Sequence, residues 1–133
     1  SVTADENALD MLSGLLICTG DTEEAAIRYE RFTGRPKVAA GNGYRIELDR
    51  GRIAICTPGE CVETVPGIDI PDLPFIAAVS IRSADLAATR SYLAARDVPL
   101  LADEAGRIVV HPDAGMGAAF VFHGAGEEPF PLA

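Results

Sequence analysis

The sequence lacks any long hydrophobic run. Hydrophobic residues make up 48% of its 133 positions, yet no apolar stretch approaches the roughly 18 residues that a membrane-crossing helix needs. No membrane partner is expected. Positive charge is scarce: 11 Lys and Arg stand against 20 Asp and Glu, a net charge of −9. Both halves are acidic, and the basic stripe of a nucleic-acid binder is missing. Such acidity favours solubility and could attract cationic ligands. The opening residues, SVTADENALD, lack the basic start and apolar run of a signal peptide. They also lack a starting Met, as a processed or excised chain would. A cytoplasmic location is the expectation.

Cysteine and histidine are few. Cys18, Cys56 and Cys61 make an odd count, and the four residues between Cys56 and Cys61 are not the two-residue loop of a zinc knuckle. Reduced, buried thiols are expected. His111 and His123 are the only histidines, too few for a zinc site without a third ligand at suitable spacing. No G-x-S-x-G elbow occurs. Gly41-Asn42-Gly43 leads into a strand, so no phosphate would meet a helix N-terminus there.

What is present is a repeated order of elements. Leu12 to Thr19 reads as a strand, with Leu15 and Ile17 on one face and Gly14, Leu16 and Cys18 on the other. Asp21 caps a helix, with Glu24 completing an acidic capping box. Ala25, Tyr29 and Phe32 share the face expected to pack on the sheet. Gly34 and Pro36 end the helix. Lys37–Ala40 reads as an edge strand. Tyr44–Leu48 and Arg52–Thr57 alternate around the hairpin turn Asp49-Arg50-Gly51.

Pro58 to Pro74 holds four prolines and two glycines. That density forbids a long helix or a central strand, so the stretch reads as a connection. The plan then repeats. Phe75–Arg82 is a strand. A helix comes next, capped by Ser83 or Asp85, with Leu86 and Leu93 on its buried face and Asp97 where the first helix had Gly34. Strands are predicted near Leu100–Asp103, Arg107–His111 and Ala118–His123, with Met116 between glycines in the last loop. GEEPFPLA reads as a fraying or docking tail. Three successive strands without an intervening helix occur twice, which means antiparallel hairpins and an α+β fold rather than a doubly wound one.

The whole is read as one domain over residues 1–133: module one at about 11–58, a Pro-rich connection at 59–74, and module two at about 75–123. Each βαβββ module should form a curved mixed sheet, the two enclosing a cleft.

A doubled βαβββ unit resembles the vicinal oxygen chelate superfamily, which includes glyoxalase I, extradiol dioxygenases, methylmalonyl-CoA epimerase and bleomycin-resistance proteins. GDTEEAAIRYERFTGRP is similar to that family's segment after the first strand, RIVVHPDAGMGAAFVFHG to its closing hairpin, and ENALDMLSGLLI to the lead into a second half of longer glyoxalase-like proteins. The resemblance spans about residues 5–123. It implies a cleft in which metal-dependent members hold a divalent ion with His, Glu or Gln from the first and fourth strands of each module. Such an ion acts as a Lewis acid toward vicinal oxygens. Carried onto this chain, those positions fall at Gly14, Ala54 or Cys56, Ala78 and Val121, and none is a usual ligand. A one-residue shift exposes Leu15, Ile55, Ala77 and Phe120 or Phe122 instead, again without ligand atoms.

The expected cleft wall is therefore small and mostly apolar: Gly14, Leu16, Cys18, Ala54, Cys56, Ala78, Ser80, Arg82, Ala119, Val121 and His123. From it, Leu16, Cys18, Cys56, Ser80, Arg82, Val121 and His123 are the candidate ligand contacts. An apolar lining with few polar anchors suits a small organic molecule, although neighbouring side chains could fill the same space. His123, Cys56 and His111 are the weak catalytic candidates. His could serve as acid or base, but His111 before Pro112 also reads as a turn residue. A reactive Cys56 needs a positive neighbour, and Arg52 on the same strand is the one available. Arg82 could clamp a carboxylate or lie at the surface.

The function expected is metal-free and cofactor-free binding of a small apolar or cationic organic molecule, by a chain that pairs as a homodimer. The alternative is a metal-dependent lyase, isomerase or dioxygenase, with Glu47, His111 and His123 as its available ligands.

Overall fold

The computed structural model describes residues 12–115 and 117–132. The opening residues SVTADENALD, Met11 and Met116 lie outside the described residues.

Strands β1 (Leu12–Cys18), β2 (Lys37–Ala40), β3 (Gly43–Leu48) and β4 (Gly51–Cys56), with helix α1 (Thr22–Thr33), build module one. A second helix, α2 (Pro58–Thr64), opens the connection. Strands β5 (Phe75–Arg82), β6 (Leu100–Glu104), β7 (Arg107–Val110) and β8 (Ala119–His123), with helix α3 (Leu86–Ala95), build module two. All eight strands form one sheet in the order β2-β3-β4-β1-β5-β8-β7-β6. The modules therefore join edge to edge inside one chain, through antiparallel β1 and β5. Within each module the first strand runs parallel to the last, β1 to β4 and β5 to β8.

The helix ends follow the sequence chemistry. The Asp21 side chain accepts from the Glu24 N–H, but the expected capping box is half made: the Glu24 carboxylate pairs with Arg28 one turn on, and the Asp21 N–H donates to Thr19 Oγ1 instead; Gly34 closes α1 at φ 71°. Asp85, not Ser83, caps α3 by accepting from the Ala88 N–H, and Asp97 takes the left-handed turn at φ 53°. Ser83 is buried, and its hydroxyl bonds Thr89.

One sheet face carries α1 and α3. Under α1 pack Ile17, Ile46, Ile53 and Ile55 with Ala25 and Ala26. Under α3 pack Ile108 and Val110 with Leu93. Phe32 corrects the predicted helix face. It is 86% exposed, because the buried stripe centres between Ala25 and Ala26 and runs through Tyr29, which leaves Phe32 on its flank in the last turn.

The Pro-rich connection holds no long helix, as expected, but it opens with a short one. The Thr57 hydroxyl accepts from the Glu60 N–H, the Glu60 carboxylate accepts from the Thr57 N–H, and Pro58 occupies the first helical turn. A proline there loses no hydrogen bond, so a short helix forms despite the composition.

Strict alternation fails at two places on the central seam. The register of β1 with β5 shifts between Leu12 and Gly14, and again between Leu16 and Ile17. Ser13 is the extra residue at the first shift and Ala77 at the second. They stand at equivalent places in the two modules, so the repeat extends to its bulges. A bulge re-aims side chains locally; both Ala77 and Ala78 consequently join the core on the other face.

Candidate functional site

The face opposite α1 and α3 is the wall read from the sequence. Leu16, Cys18, Ala54, Cys56, Ala78, Ala119 and Val121 lie there in one cluster. Leu16, Cys18, Cys56, Ser80 and Val121 are fully buried and His123 nearly so, whereas Arg82 is exposed at the end of β5. The cover is supplied by the chain itself. Cys61 and Val65 of α2, Ile68 of the connection and Phe130 of the tail complete the cluster, with Ile70, Phe75 and Leu132 packed against it. As folded, the centre of the hollow is filled, and a ligand touching Leu16, Ser80 or Val121 would have to displace Phe130 or the connection.

Arg107 holds both covers down. Its guanidinium donates from Nε to the Pro129 carbonyl at 3.0 Å and from a terminal nitrogen to the Thr64 carbonyl. A second terminal nitrogen meets Glu104 at 3.3 Å. Burial pushes the Arg107 pKa down, while Glu104 opposes the fall.

His123 joins a polar chain that alternation alone does not find. Its Nδ1 lies 2.9 Å from the Gly124 carbonyl, which can only accept, so Nδ1 carries the proton. Nε2 then accepts from the Ser13 hydroxyl at 2.7 Å, and the Ser13 oxygen lies 2.7 Å from Ser80 Oγ. Ser13 reaches this face because of its bulge. Hydroxyl and imidazole stand at nucleophile–base distance, but Ser13, Ser80 and His123 line neither a recess at His111 nor the depressions beside Glu60 and α1. What the chain achieves is the pairing of buried polar groups across β1, β5 and β8.

The ion implied by the family resemblance does not fit here. Gly14, Ala54, Ala78 and Val121 bring no side-chain ligand atom, and Cys56, the alternative to Ala54, brings a buried thiol in place of the imidazole, carboxylate or amide the resemblance implies. A Cβ at Gly14 would lie 2.8 Å from the Arg52 carbonyl and 3.0 Å from Ser80 Oγ, so the position has no room for an imidazole or a carboxylate. Glu47 is exposed and paired with Arg45 and Arg52. Arg52, at the opposite end of β4 from Cys56, also meets Glu128 and so is not the positive neighbour Cys56 would need.

Cys56 has other neighbours. Cys18 and Cys56 end β1 and β4 as register partners, and Cys61 lies above them on α2. The three sulfur atoms lie within 4.8 Å of one another, all buried. Burial pushes the Cys18 thiol up to about 12. Cys56 is raised as well, chiefly by its hydrogen bond to Cys61 and by burial, and Cys61 is lowered by accepting from Cys56. The causes of these shifts are burial, the thiols themselves and, at Cys56, the Glu60 carboxylate.

His111 lies elsewhere, at the open end of the hollow. Its Nδ1 accepts from the Asp113 backbone N–H at 3.0 Å, and the His111 backbone N–H donates to the Pro99 carbonyl. This is the turn role. It also lines a recess of about 270 Å³ with Gly67, Ile68, Asp69, Ile70, Pro71, Phe75, Pro112, Asp113 and Gly117. Ile68 and Phe75 belong equally to the filled core, so the recess is what remains of the hollow. A second depression, about 420 Å³ between Asn42, Glu60, Glu63 and Leu132, is more polar. A third, about 550 Å³, is a shallow groove along one face of α1.

No family model and no curated protein matches the sequence. Solved structures do match the fold. Methylmalonyl-CoA epimerase from Mycobacterium tuberculosis superposes at TM-score 0.66 with 14% identity, over 95% of this chain and 94% of that one. A variant of the Streptomyces coelicolor methylmalonyl-CoA epimerase, in complex with 2-nitronate-propionyl-CoA, superposes at 0.61 with 11% identity, over 88% and 98%. A hypothetical protein from Bacillus halodurans superposes at 0.62 with 13% identity, over 88% and 95%. At these identities the likeness is one of architecture: a single curved eight-stranded sheet made of two βαβββ modules, the glyoxalase/bleomycin-resistance/dioxygenase fold of the vicinal oxygen chelate superfamily.

Proposed function

We propose that the chain binds a small organic cation with an apolar portion, at the open end of the hollow beside His111. One observation carries this reading: Ile68, Ile70, Pro71, Phe75 and Pro112 give the recess an apolar lining, and among the described residues its only full charges are the carboxylates Asp69 and Asp113. An ammonium group would meet those carboxylates and the Phe75 ring, while its hydrocarbon portion left water against the isoleucines. At about 270 Å³ the space suits a ligand near the lower end of the usual size range. The overall charge of −9 draws cations toward it.

The epimerase neighbours make enzymatic activity plausible. The ligand in one of them is a coenzyme A derivative, and the phosphates of such molecules would face two carboxylates here. The experiment is to titrate benzyltrimethylammonium and, separately, propionyl-CoA into labelled protein while following backbone amide shifts. Support is a saturable response to the cation at Ile68, Asp69 and Gly117, weakened about tenfold in the double variant Asp69→Asn/Asp113→Asn. No response to the cation at millimolar concentration, or propionyl-CoA binding in its place, defeats the reading.

A further inference from the structure

We infer that Cys18, Cys56 and Cys61 form a three-thiolate site for a trivalent thiophilic metalloid, with arsenite as the probe that identifies it. The site is separate from the recess at His111 and does not rest on the proposal made for it.

The fold builds the triangle from three backbones. Parallel pairing sets Cys18 beside Cys56 on one sheet face. The Thr57–Glu60 capping box then turns the chain back sharply, so that Cys61 descends onto the same spot from α2. The sulfurs lie within 4.8 Å of one another. Trivalent arsenic keeps a lone pair and is pyramidal, so bonds of about 2.3 Å place its sulfurs about 3.4 Å apart; side-chain rotations that draw the three thiols together by up to about 1.4 Å close the site. The thiols are free and fully buried.

The surroundings select the oxidation state. Leu16, Ala54 and Val65 share the cluster, and besides the other two thiols Cys56 feels the negative charge of the Glu60 carboxylate. Three thiolates on a divalent ion leave a net negative charge, and on a monovalent ion two. Burying such a charge in an apolar core beside a carboxylate is costly. A trivalent centre leaves none. The step balances without redox: As(OH)3 and three cysteine thiols give As(S-Cys)3 and three waters. Three As–O and three S–H bonds break, three As–S and three O–H bonds form, and arsenic stays trivalent. Soft ligands suit soft centres. Access requires α2 to lift, a local opening that breaks its capping box and the Arg107–Thr64 contact.

The test uses reduced protein free of added thiol. One equivalent of arsenite should give a native mass gain of one arsenic less three hydrogens, and remove all three titratable thiols. At a hundredfold excess over Kd it should raise Tm by on the order of 5–10 °C. Cys61→Ser, on the surface helix rather than the sheet, should fold and weaken binding at least about a hundredfold. Asp69→Asn/Asp113→Asn should bind arsenite as the unaltered chain does. An absent mass gain, undiminished uptake by Cys61→Ser, or tighter binding of Zn²⁺ than of arsenite under the same conditions each overturns the assignment.

Discussion

The two modules place different chemistry at equivalent points. Cys18 and Cys56 are register partners at the ends of β1 and β4; their counterparts at the ends of β5 and β8 are Arg82 and His123. The first pair is dry, because the chain leaves β4 directly into α2, which folds over both sulfurs. The second pair is covered only in part. The segment after β8 runs toward the seam, where Phe130 approaches Gly14; Arg82 stays exposed, and His123 is satisfied by Ser13 and Gly124. Identical supersecondary structure therefore yields an apolar end fit for thiols and a polar end fit for an imidazole. The course of the segment that leaves each module's last strand, a helix folded back over β1 and β4 in one and a run toward the seam in the other, decides between them.

The tail is the sharpest way to break this contrast. Phe130→Ala should remove the seam's cover and cost about 3–5 kcal/mol, read as a lower urea midpoint. A cost below about 1 kcal/mol would mean that the hollow does not depend on its own tail. Arg107→Met comes next. It leaves the Thr64 and Pro129 carbonyls without their charged donor, at about 2–3 kcal/mol. Amide exchange should quicken at both Val65 and Phe130; quickening at only one would show that the two covers are independent.

Alkali should act at the thiol end. Cys18 is held at about 12 in the fold, against an ordinary 9.0. The unfolded chain therefore loses this proton first, and the stability it contributes is complete below pH 9 and declines as pH rises from about 9 toward 12. Chemical denaturation across that window should show the decline, and Cys18→Ala should lessen it, with the raised Cys56 supplying the remainder. Thr57→Ala removes the cap of α2 and should cost about 1 kcal/mol while raising the alkylation rate of Cys61. Phe32→Ser should change stability by no more than about 0.5 kcal/mol; a larger loss would restore the helix face first expected from spacing.

Much of the architecture was readable because it rests on local rules. The caps at Asp21 and Asp85, the left-handed residues Gly34 and Asp97, and the hairpin at Gly51 all act over a few neighbours. The faces of β1, β3 and β4 follow from alternation, and Leu16, Cys18 and Cys56 lie where that alternation put them. Phe32 was misplaced because spacing defines a stripe but not its centre. Helix α2 was missed because proline content outweighed a capping box that Thr57 and Glu60 display in the sequence. Ser13 was missed because a bulge depends on pairing with β5 and leaves no local mark. Cys61 escaped notice because only its spacing to Cys56 was weighed, while Cys18 lies far off in sequence.

The amino-acid sequence alone determined the order of the strands and of helices α1 and α3, most of their ends and, away from the bulges at Ser13 and Ala77, the side of the sheet that strand residues take, since these are set by backbone preference and near-neighbour hydrogen bonds. Only the tertiary structure decided what fills the hollow, which sulfurs meet, and that the modules join by their edges. Those outcomes depend on contacts between segments far apart in the chain, for which no local pattern carries a signal.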